Sequence, residues 1–259
     1  MNESPAAPPD FRPAAPASGP IALRLPSAPP RVTYTILGLT VFVYLLQVAS
    51  QFMLGYDLPL MLGAKSSDLI RQGQLWRLIT PILLHGSILH IGFNMYALFI
   101  FGTGLERRFG HARFLILYLV AGFSGNVLSF LFSSGLSVGA STSIFGLIAA
   151  EGIFLYQNRK LFGEEAKRAI GNVVMVAAIN LLIGFSSGGL IDNWGHIGGL
   201  LGGLIFTWFG GPLWQVEGVY PLLHLVDKRA GREVVIGLAV VMILFNALAI
   251  AGIFWPIVP

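Results

Sequence analysis

The sequence contains no cysteine, and this absence removes a disulfide framework, a thiolate nucleophile and any cysteine-ligated metal site. Charge is scarce as well: only 11% of the 259 residues are Asp, Glu, Lys or Arg, whereas a soluble domain carries about a quarter. By contrast, 55% of the residues are hydrophobic and 32 are glycine, a residue that is frequent in membrane helices. This composition predicts a polytopic membrane protein.

The amino-terminal residues 1–31 lack a long apolar run. A secretory signal requires an apolar stretch of about 7–15 residues and a small-residue cleavage site, and neither is convincing in "MNESPAAPPDFRPAAPASGPIALRLPSAPPR". Proline, alanine and serine at this density are typical of an extended chain without a packed core. We therefore predict a disordered tail.

Seven apolar runs follow the tail, each close to the length of about 20 residues that crosses a bilayer. They cover roughly residues 33–53, 83–104, 113–133, 139–156, 170–187, 193–210 and 234–256. The long connector between the first two runs is too apolar for an ordinary loop and too charged to span, so we expect it to lie partly in the membrane interface. The sequence thus predicts an all-α fold of seven transmembrane helices.

Lysine and arginine are distributed unevenly between the two faces that this topology defines. With a cytoplasmic amino terminus, thirteen of the 16 Lys and Arg residues lie inside, and only Lys65, Arg71 and Arg77 lie outside. Because positive residues accumulate on the cytoplasmic side, we predict a cytoplasmic N-terminus and an external C-terminus in a plasma (inner) membrane. The net charge of +4 reflects this topology, so no nucleic-acid partner is expected.

Polar side chains inside the predicted spans are the candidates for function, because burying them in lipid is costly. His90 and Asn94 share a face of the second span, Ser141 begins the fourth, and His196 lies in the sixth. At about 1.5 Å per residue, His90, Ser141 and His196 lie at similar depths in the outer half of the bilayer. His85, five residues before His90 on the same span, is expected to point about 140° away and to support the site.

Ser141 and His196 are the residues from which we predict covalent chemistry. Ser141 begins a short helix, whose N-terminal N–H groups can stabilise an oxyanion when the serine attacks a carbonyl. A serine nucleophile needs a base within hydrogen-bond reach, and His196 is the candidate. Glycines at four-residue spacing (Gly195, Gly199 and Gly203) let the sixth helix approach the fourth closely enough for that contact.

The motifs "HGSILHIGFN", "GAST" and "GHIGG", with "WR" at Trp76–Arg77 and "GTGLERRFG" after the second span, resemble those of the rhomboid intramembrane serine proteases. The resemblance covers roughly residues 33–213. It implies that Ser141 is the nucleophile and His196 the general base of a dyad. It also implies that His90 and Asn94 stabilise the oxyanion, together with backbone N–H groups around Ala140 and Ser141.

The family resemblance further implies a substrate and a domain organisation. Rhomboids cleave transmembrane segments of other proteins near their exposed ends, without metal or cofactor, so the expected partners are transmembrane substrates and the lipid bilayer. The expected division is a cytoplasmic tail (1–31), a six-helix rhomboid-like core (32–213), a cytoplasmic connector (214–233), and a seventh transmembrane helix with a short external C-terminus (234–259).

Two residues depart from the family pattern. Thr142 stands where many members have glycine after the serine, and Phe145 stands where some have a tyrosine that packs on the histidine. Threonine adds bulk to a tight turn, whereas phenylalanine keeps the aromatic face and loses a hydroxyl. Both reacting groups remain.

Three acidic residues lie near the predicted site or the helix ends, and two of them admit two interpretations. Asp192, four residues before His196, is either a third member of the catalytic set or a cap at the helix start. Glu106 is expected to brace the cytoplasmic turn with Arg107. Glu151 is either part of a proton path or the partner of a basic residue.

Two other functional classes stay open. A catalytically impaired rhomboid-like protein could bind client transmembrane helices without cleaving them, although the intact serine and histidine argue for an enzyme. A transporter or channel could also use buried polar groups, but it is expected to contain internal repeats, and none is apparent. The predicted function is an intramembrane serine endopeptidase.

Overall fold

Seven long helices dominate the computed structural model, which describes residues 25–189, 191–229 and 231–255. The predicted disordered tail falls largely on residues 1–24, and the predicted external C-terminus on residues 256–259, both outside the described residues. In chain order the described elements are α1 (Arg31–Leu54), α2 (Leu58–Gly63), α3 (Ser67–Arg71), α4 (Ile88–Phe109), α5 (His111–Phe132), α6 (Ser141–Gln157), α7 (Arg159–Phe162), α8 (Glu164–Ser186), α9 (Asn193–Gly210), β1 (Trp214–Glu217), β2 (His224–Asp227) and α10 (Gly231–Phe254).

The predicted apolar runs correspond to α1, α4, α5, α6, α8, α9 and α10. Five of these helices, α1, α4, α5, α8 and α10, are long and apolar enough to cross a membrane by length and composition. The helices that begin at Ser141 and Asn193 are shorter, with 17 and 18 residues. The chain is therefore a multi-pass α-helical membrane protein, which confirms the predicted all-α polytopic fold class, while the number of seven membrane spans stays a prediction.

The centre of the protein is the contact of α5, α6 and α9, where glycines replace side chains. A Cβ added at Gly199 would overlap the carbonyl oxygen of Thr142, and one added at Gly203 would overlap the backbone of Gly146. On its other side α9 meets α5, where a Cβ at Gly198 would come within 2.8 Å of the Gly125 Cα. The predicted close approach of the glycine face of the sixth span to the fourth is confirmed, and it brings the first turns of α6 and α9 together.

The second span begins later than predicted. Ser87 has an extended backbone and its hydroxyl accepts a hydrogen bond from the His90 N–H at 3.2 Å, so α4 starts at Ile88 instead of residue 83. The connector before it contains α2, α3 and two 3-10 turns, at Leu75–Leu78 and Thr80–Leu83. His85 consequently lies in a loop, and its predicted position on the same helix as His90 is wrong.

A β-hairpin occupies part of the segment predicted as a connector between the sixth and seventh helices. Strands β1 and β2 pair antiparallel, with Trp214 opposite Asp227 and Glu217 opposite His224. At its base, Arg113 of α5 donates to Asp227 at 2.5 Å and Asn158 accepts from the Trp214 N–H at 2.8 Å. The hairpin therefore packs on the ends of the core helices.

Two acidic side chains join helices at the end of α4 opposite His90. The Glu106 carboxylate accepts from the backbone N–H groups of Val32 and Thr33, at 2.8 and 2.7 Å, and from the Thr33 hydroxyl at 2.6 Å. It thereby caps the N-terminus of α1. Its Oε1 also lies 2.6 Å from the His111 Nδ1 across the turn between α4 and α5, so Glu106 braces this turn as expected, but through His111 instead of Arg107. Glu151 accepts two hydrogen bonds from Arg108, at 2.9 and 2.6 Å, which is the expected pairing with a basic residue.

Candidate active site

Ser141 and His196, separated by 55 residues in sequence, are hydrogen-bonded. The Ser141 Oγ lies 2.9 Å from the His196 Nε2. Ser141 is the first residue of α6 and His196 lies in the first turn of α9, so the contact joins the N-terminal ends of two helices. An imidazole nitrogen at this distance can accept the serine proton as a general base.

Phe145 holds the imidazole of His196 from one side. The two rings are stacked, with centroids 4.1 Å apart and planes inclined by 12°. Phe145 lies one helical turn after Ser141, and it is buried, with 4% of its surface exposed. Because the stacking needs only an aromatic face, phenylalanine supplies what the expected tyrosine would supply at this position.

The backbone before Ser141 has a conformation that glycine permits. Gly139 has a φ of +128°, and a Cβ at this position would lie 2.7 Å from the His90 Nε2. Its N–H donates to the Pro81 carbonyl at 2.9 Å. A glycine is required here for both reasons, since a side chain would be strained and would displace His90.

Lys65 fixes the start of the same segment. Its backbone pairs with Ser137 through two hydrogen bonds of 3.0 and 3.2 Å. Its side chain is fully buried, and the ammonium donates to the carbonyls of Ser133 and Gly135, at 2.5 and 2.8 Å, just beyond the C-terminus of α5. Burial lowers the pKa of Lys65 to about 8, against an attraction to Asp192 that raises it.

The N-terminal turn of α6 supplies donors beside the serine. The backbone N–H groups of Ser141, Thr142 and Ser143 have no acceptor in a preceding helical turn, and no side chain of the described residues caps this helix. The N–H of Ala140 is different, because it is directed at the His85 Nε2 at 3.4 Å. In this arrangement the donors available to an oxyanion are those that follow Ala140.

His90 and Asn94 are placed differently relative to the serine. His90 Nε2 faces Gly139, two residues before Ser141. Asn94 is buried one turn further along α4, and its side-chain amide donates to the His90 carbonyl at 3.1 Å. The structure therefore brings His90 to the segment before Ser141, whereas Asn94 hydrogen-bonds its own helix.

Asp192 caps the helix that carries His196. Its Oδ1 accepts from the Gly195 N–H at 3.0 Å, so the predicted cap role is confirmed. Among the described residues, the His196 Nδ1 and the Asp192 Oδ2 are both buried without a hydrogen-bond partner. In this arrangement the Asp192 carboxylate therefore lacks the hydrogen bond to the His196 ring that a third catalytic member would make.

Gln47 is the residue of the site region that the sequence did not reveal, whereas His85 was predicted to support the site but from the wrong element. His85 is 1% exposed, and its ring meets that of His90 edge to face, with centroids 5.0 Å apart. Burial lowers the pKa of His85 to about 3, with a further contribution from His90, so the ring is neutral. Ser87, a residue type that begins helices, was the sequence signal that could have placed His85 before α4.

Within residues 25–189, 191–229 and 231–255, no group of three or more His, Asp or Glu side chains is arranged to hold a metal ion. The reactive groups that the structure does bring together are a hydroxyl, an imidazole and the N–H donors of a helix start.

Comparison with known proteins gives consistent matches. The model of the Rhomboid domain family matches residues 72–213, which include every candidate site residue from His85 to His196. Rhomboid protease GluP of Bacillus subtilis is 43% identical over 175 residues, 67% of this chain and 34% of the relative. RHOMBOID-like protein 9, chloroplastic, of Arabidopsis thaliana is 34% identical over 161 residues, 62% of this chain and 37% of the relative.

A third relative is covered more fully. Rhomboid-like protease 1 of Toxoplasma gondii is 34% identical over 196 residues, 66% of this chain and 66% of the relative. The chain thus spans about a third of the length of the first two relatives and about two thirds of the third.

Proposed function

The chain belongs to the rhomboid family, and we propose that it is a serine endopeptidase that cleaves transmembrane segments of membrane proteins near their outer ends. The observation that carries this proposal is the 2.9 Å contact between the Ser141 hydroxyl and the His196 imidazole. We propose a dyad and not a triad, because among the described residues the Asp192 carboxylate makes no hydrogen bond to the His196 ring.

In the proposed reaction, the Ser141 Oγ attacks the carbonyl carbon of the scissile peptide while His196 Nε2 takes the hydroxyl proton. The tetrahedral oxyanion is stabilised by N–H groups at the start of α6 and by a proton on the His90 Nε2. His196 then donates its proton to the leaving amine, and the acyl-enzyme forms. A water molecule, deprotonated by His196, hydrolyses the ester and regenerates Ser141.

The present hydrogen bonds of Asn94 and Ala140 determine how each group could contact the oxyanion. The Asn94 amide donates to the His90 carbonyl and the Ala140 N–H is directed at His85. For Ala140 to contact the oxyanion, its single N–H must leave the His85 Nε2 when substrate binds. The Asn94 amide has a second N–H, which can contact the oxyanion while the first keeps its bond to the His90 carbonyl. The donors of Ser141 and Thr142 need no such change, because the helix leaves them unpaired.

We also propose the topology and the domain division stated above: a tail at 1–31, a core at 32–213, a connector at 214–233 and a seventh helix at 234–259. The distribution of Lys and Arg supports a cytoplasmic N-terminus and an external C-terminus. The names of two relatives assign them to the chloroplast and the mitochondrion. Family membership therefore does not indicate which membrane holds the protein. The proposed plasma-membrane location rests on the distribution of Lys and Arg alone.

The test uses the full chain in liposomes with a transmembrane reporter and a fluorophosphonate probe. We expect Ser141→Ala and His196→Ala to abolish cleavage and labelling. Ser129→Ala is a matched control, because Ser129 is a fully buried serine of α5 outside the site, and it should cleave normally. Cleavage by the Ser141→Ala variant would contradict the proposal. A wild-type chain that retains reporter helices but neither cleaves nor labels would favour the binding-only alternative.

A further inference from the structure

Gln47 is a polar residue of α1, a helix in which only a narrow row of side chains is buried against the rest of the protein. The buried positions of α1 are Thr33, Ile36, Thr40 and Gln47, one or two turns apart, and most of its remaining surface faces outward. Gln47 is 2% exposed. Burying an amide in an apolar membrane helix is costly unless every polar atom is hydrogen-bonded.

The Gln47 amide is fully hydrogen-bonded, and two of its three bonds go to one residue. Its Oε1 accepts from the His85 N–H at 3.0 Å, and its Nε2 donates to the His85 carbonyl at 3.2 Å. The other Nε2 hydrogen goes to the Asp57 Oδ2 at 2.7 Å. The opposite orientation of the amide would set two donors against each other at His85. The two hydrogen bonds to His85 therefore fix the orientation of the Gln47 amide and hold the His85 backbone against α1.

His85 transmits this position to the segment that carries the nucleophile. Its Nε2 accepts from the Ala140 N–H at 3.4 Å, one residue before Ser141, and its ring packs on His90. Because Nε2 is the acceptor, the ring proton resides on Nδ1. The loop at 81–85 thus receives both N–H groups that precede the serine, since Pro81 accepts from Gly139 at 2.9 Å.

We propose that Gln47 is a positioning residue for the reaction, acting through the His85 backbone on the location of Ser141 and His90; this rests on the proposed function. These contacts join Gln47 to His85, 38 residues later in the sequence, and His85 to Ala140, 55 residues later. Displacing a reacting group by about 1 Å can lower a rate by about 10²-fold. Gln47 touches neither the dyad nor the place of the scissile bond, so its effect is indirect.

Asp57 extends the same set of contacts to the connector. While its Oδ2 accepts from Gln47, its Oδ1 accepts from the Leu60 N–H at 2.9 Å and caps α2. A single amide therefore holds α1, the start of α2 and the loop before α4 at once. This arrangement explains why a glutamine is required at position 47, since an apolar residue there would leave the His85 backbone groups unpaired.

The experiment compares Gln47→Met, His85→Leu and the double variant with the wild type in reporter-containing liposomes. Gln51→Met is the matched control: Gln51 is on the same helix, is exposed, and donates to the Gly55 carbonyl. We expect Gln47→Met to lower kcat and the fluorophosphonate labelling rate about 10- to 100-fold, with an unchanged KM. Gln51→Met should match the wild type.

The double variant tests the route of the effect. If Gln47 acts through His85, the double variant should be no slower than His85→Leu alone. Losses of kcat that multiply, or a Gln47→Met variant as active as Gln51→Met, would overturn the positioning role and leave the protease proposal intact. A wild type that neither cleaves nor labels would overturn both. If Gln47→Met does not fold, Gln47→Asn serves instead, because it keeps a neutral amide but is one methylene too short to make the same contacts with the His85 backbone.

Discussion

Gly125 of α5 offers a direct test of whether helix packing holds the serine and histidine together. A Cβ at this position would lie 2.6 Å from the Gly195 carbonyl oxygen and 2.6 Å from the Thr142 Cβ. These neighbours directly precede His196 and directly follow Ser141. Ordinary contacts begin at 3.4 Å, so a Gly125→Ala variant must move backbone by about 0.8 Å on each side.

The expected consequence of Gly125→Ala is a larger loss of activity than of stability. A displacement of this size is of the order that lowers rates about 10²-fold. Overpacking costs about 1–3 kcal/mol, and the better helix propensity of alanine offsets about 0.5–1 kcal/mol of that. The assay is kcat for reporter cleavage in liposomes, together with thermal unfolding of the same preparation.

Two further variants separate this explanation from a general effect of alanine. Gly171 of α8 has no heavy atom within 4 Å of an added Cβ, so Gly171→Ala should keep full activity. Combining Gly125→Ala with Thr142→Gly removes the contact on one side and should recover part of the activity. A Gly125→Ala variant with wild-type kcat would refute the claim that glycine packing sets the distance between Ser141 and His196.

Three other perturbations have defined outcomes. Phe145→Leu should slow fluorophosphonate labelling about 2- to 10-fold, because an aromatic stacking contact with His196 is worth about 0.5–1.5 kcal/mol, whereas Phe145→Tyr should label normally. Between pH 8 and 10.5 the free energy of unfolding should rise by about 3 kcal/mol, since the unfolded chain holds a proton that Lys65, with its pKa lowered to about 8, has released in the folded state. Unfolding of Lys65→Met over the same pH range should lack this rise. Glu106→Leu should lower the free energy of unfolding by about 3 kcal/mol or more, because it leaves two α1 N–H groups and the Thr33 hydroxyl unpaired; an unchanged melting temperature would contradict that reasoning.

Helix positions were largely predictable because lipid demands long apolar runs, and the seven longest helices lie where those runs are. The exceptions were set by local hydrogen bonds. The start of α4 is decided by the Ser87 hydroxyl, which accepts from His90. The hairpin after α9 has no apolar run to announce it, and its position depends on contacts with Arg113 and Asn158.

The candidate site likewise contains residues that the sequence could identify and residues that it could not. Ser141 and His196 were identifiable because a hydroxyl and an imidazole are exceptional inside apolar, glycine-spaced helices. Gln47, by contrast, looked like any polar residue near the end of a span. Only its buried contacts with His85 distinguish it from the exposed Gln51 four residues later.

The sequence by itself determined the surrounding solvent and the candidate reacting groups. A chain so poor in charge folds in lipid, and Ser141 and His196 stand out as polar residues at the starts of two glycine-containing helices. The tertiary structure alone decided which groups hold them in place. Hydrogen bonds such as those from Gln47 to His85 and from Ala140 to His85 join residues 38 and 55 positions apart. No periodicity in the chain records such pairs, because they exist only once α1, α4 and α6 have packed.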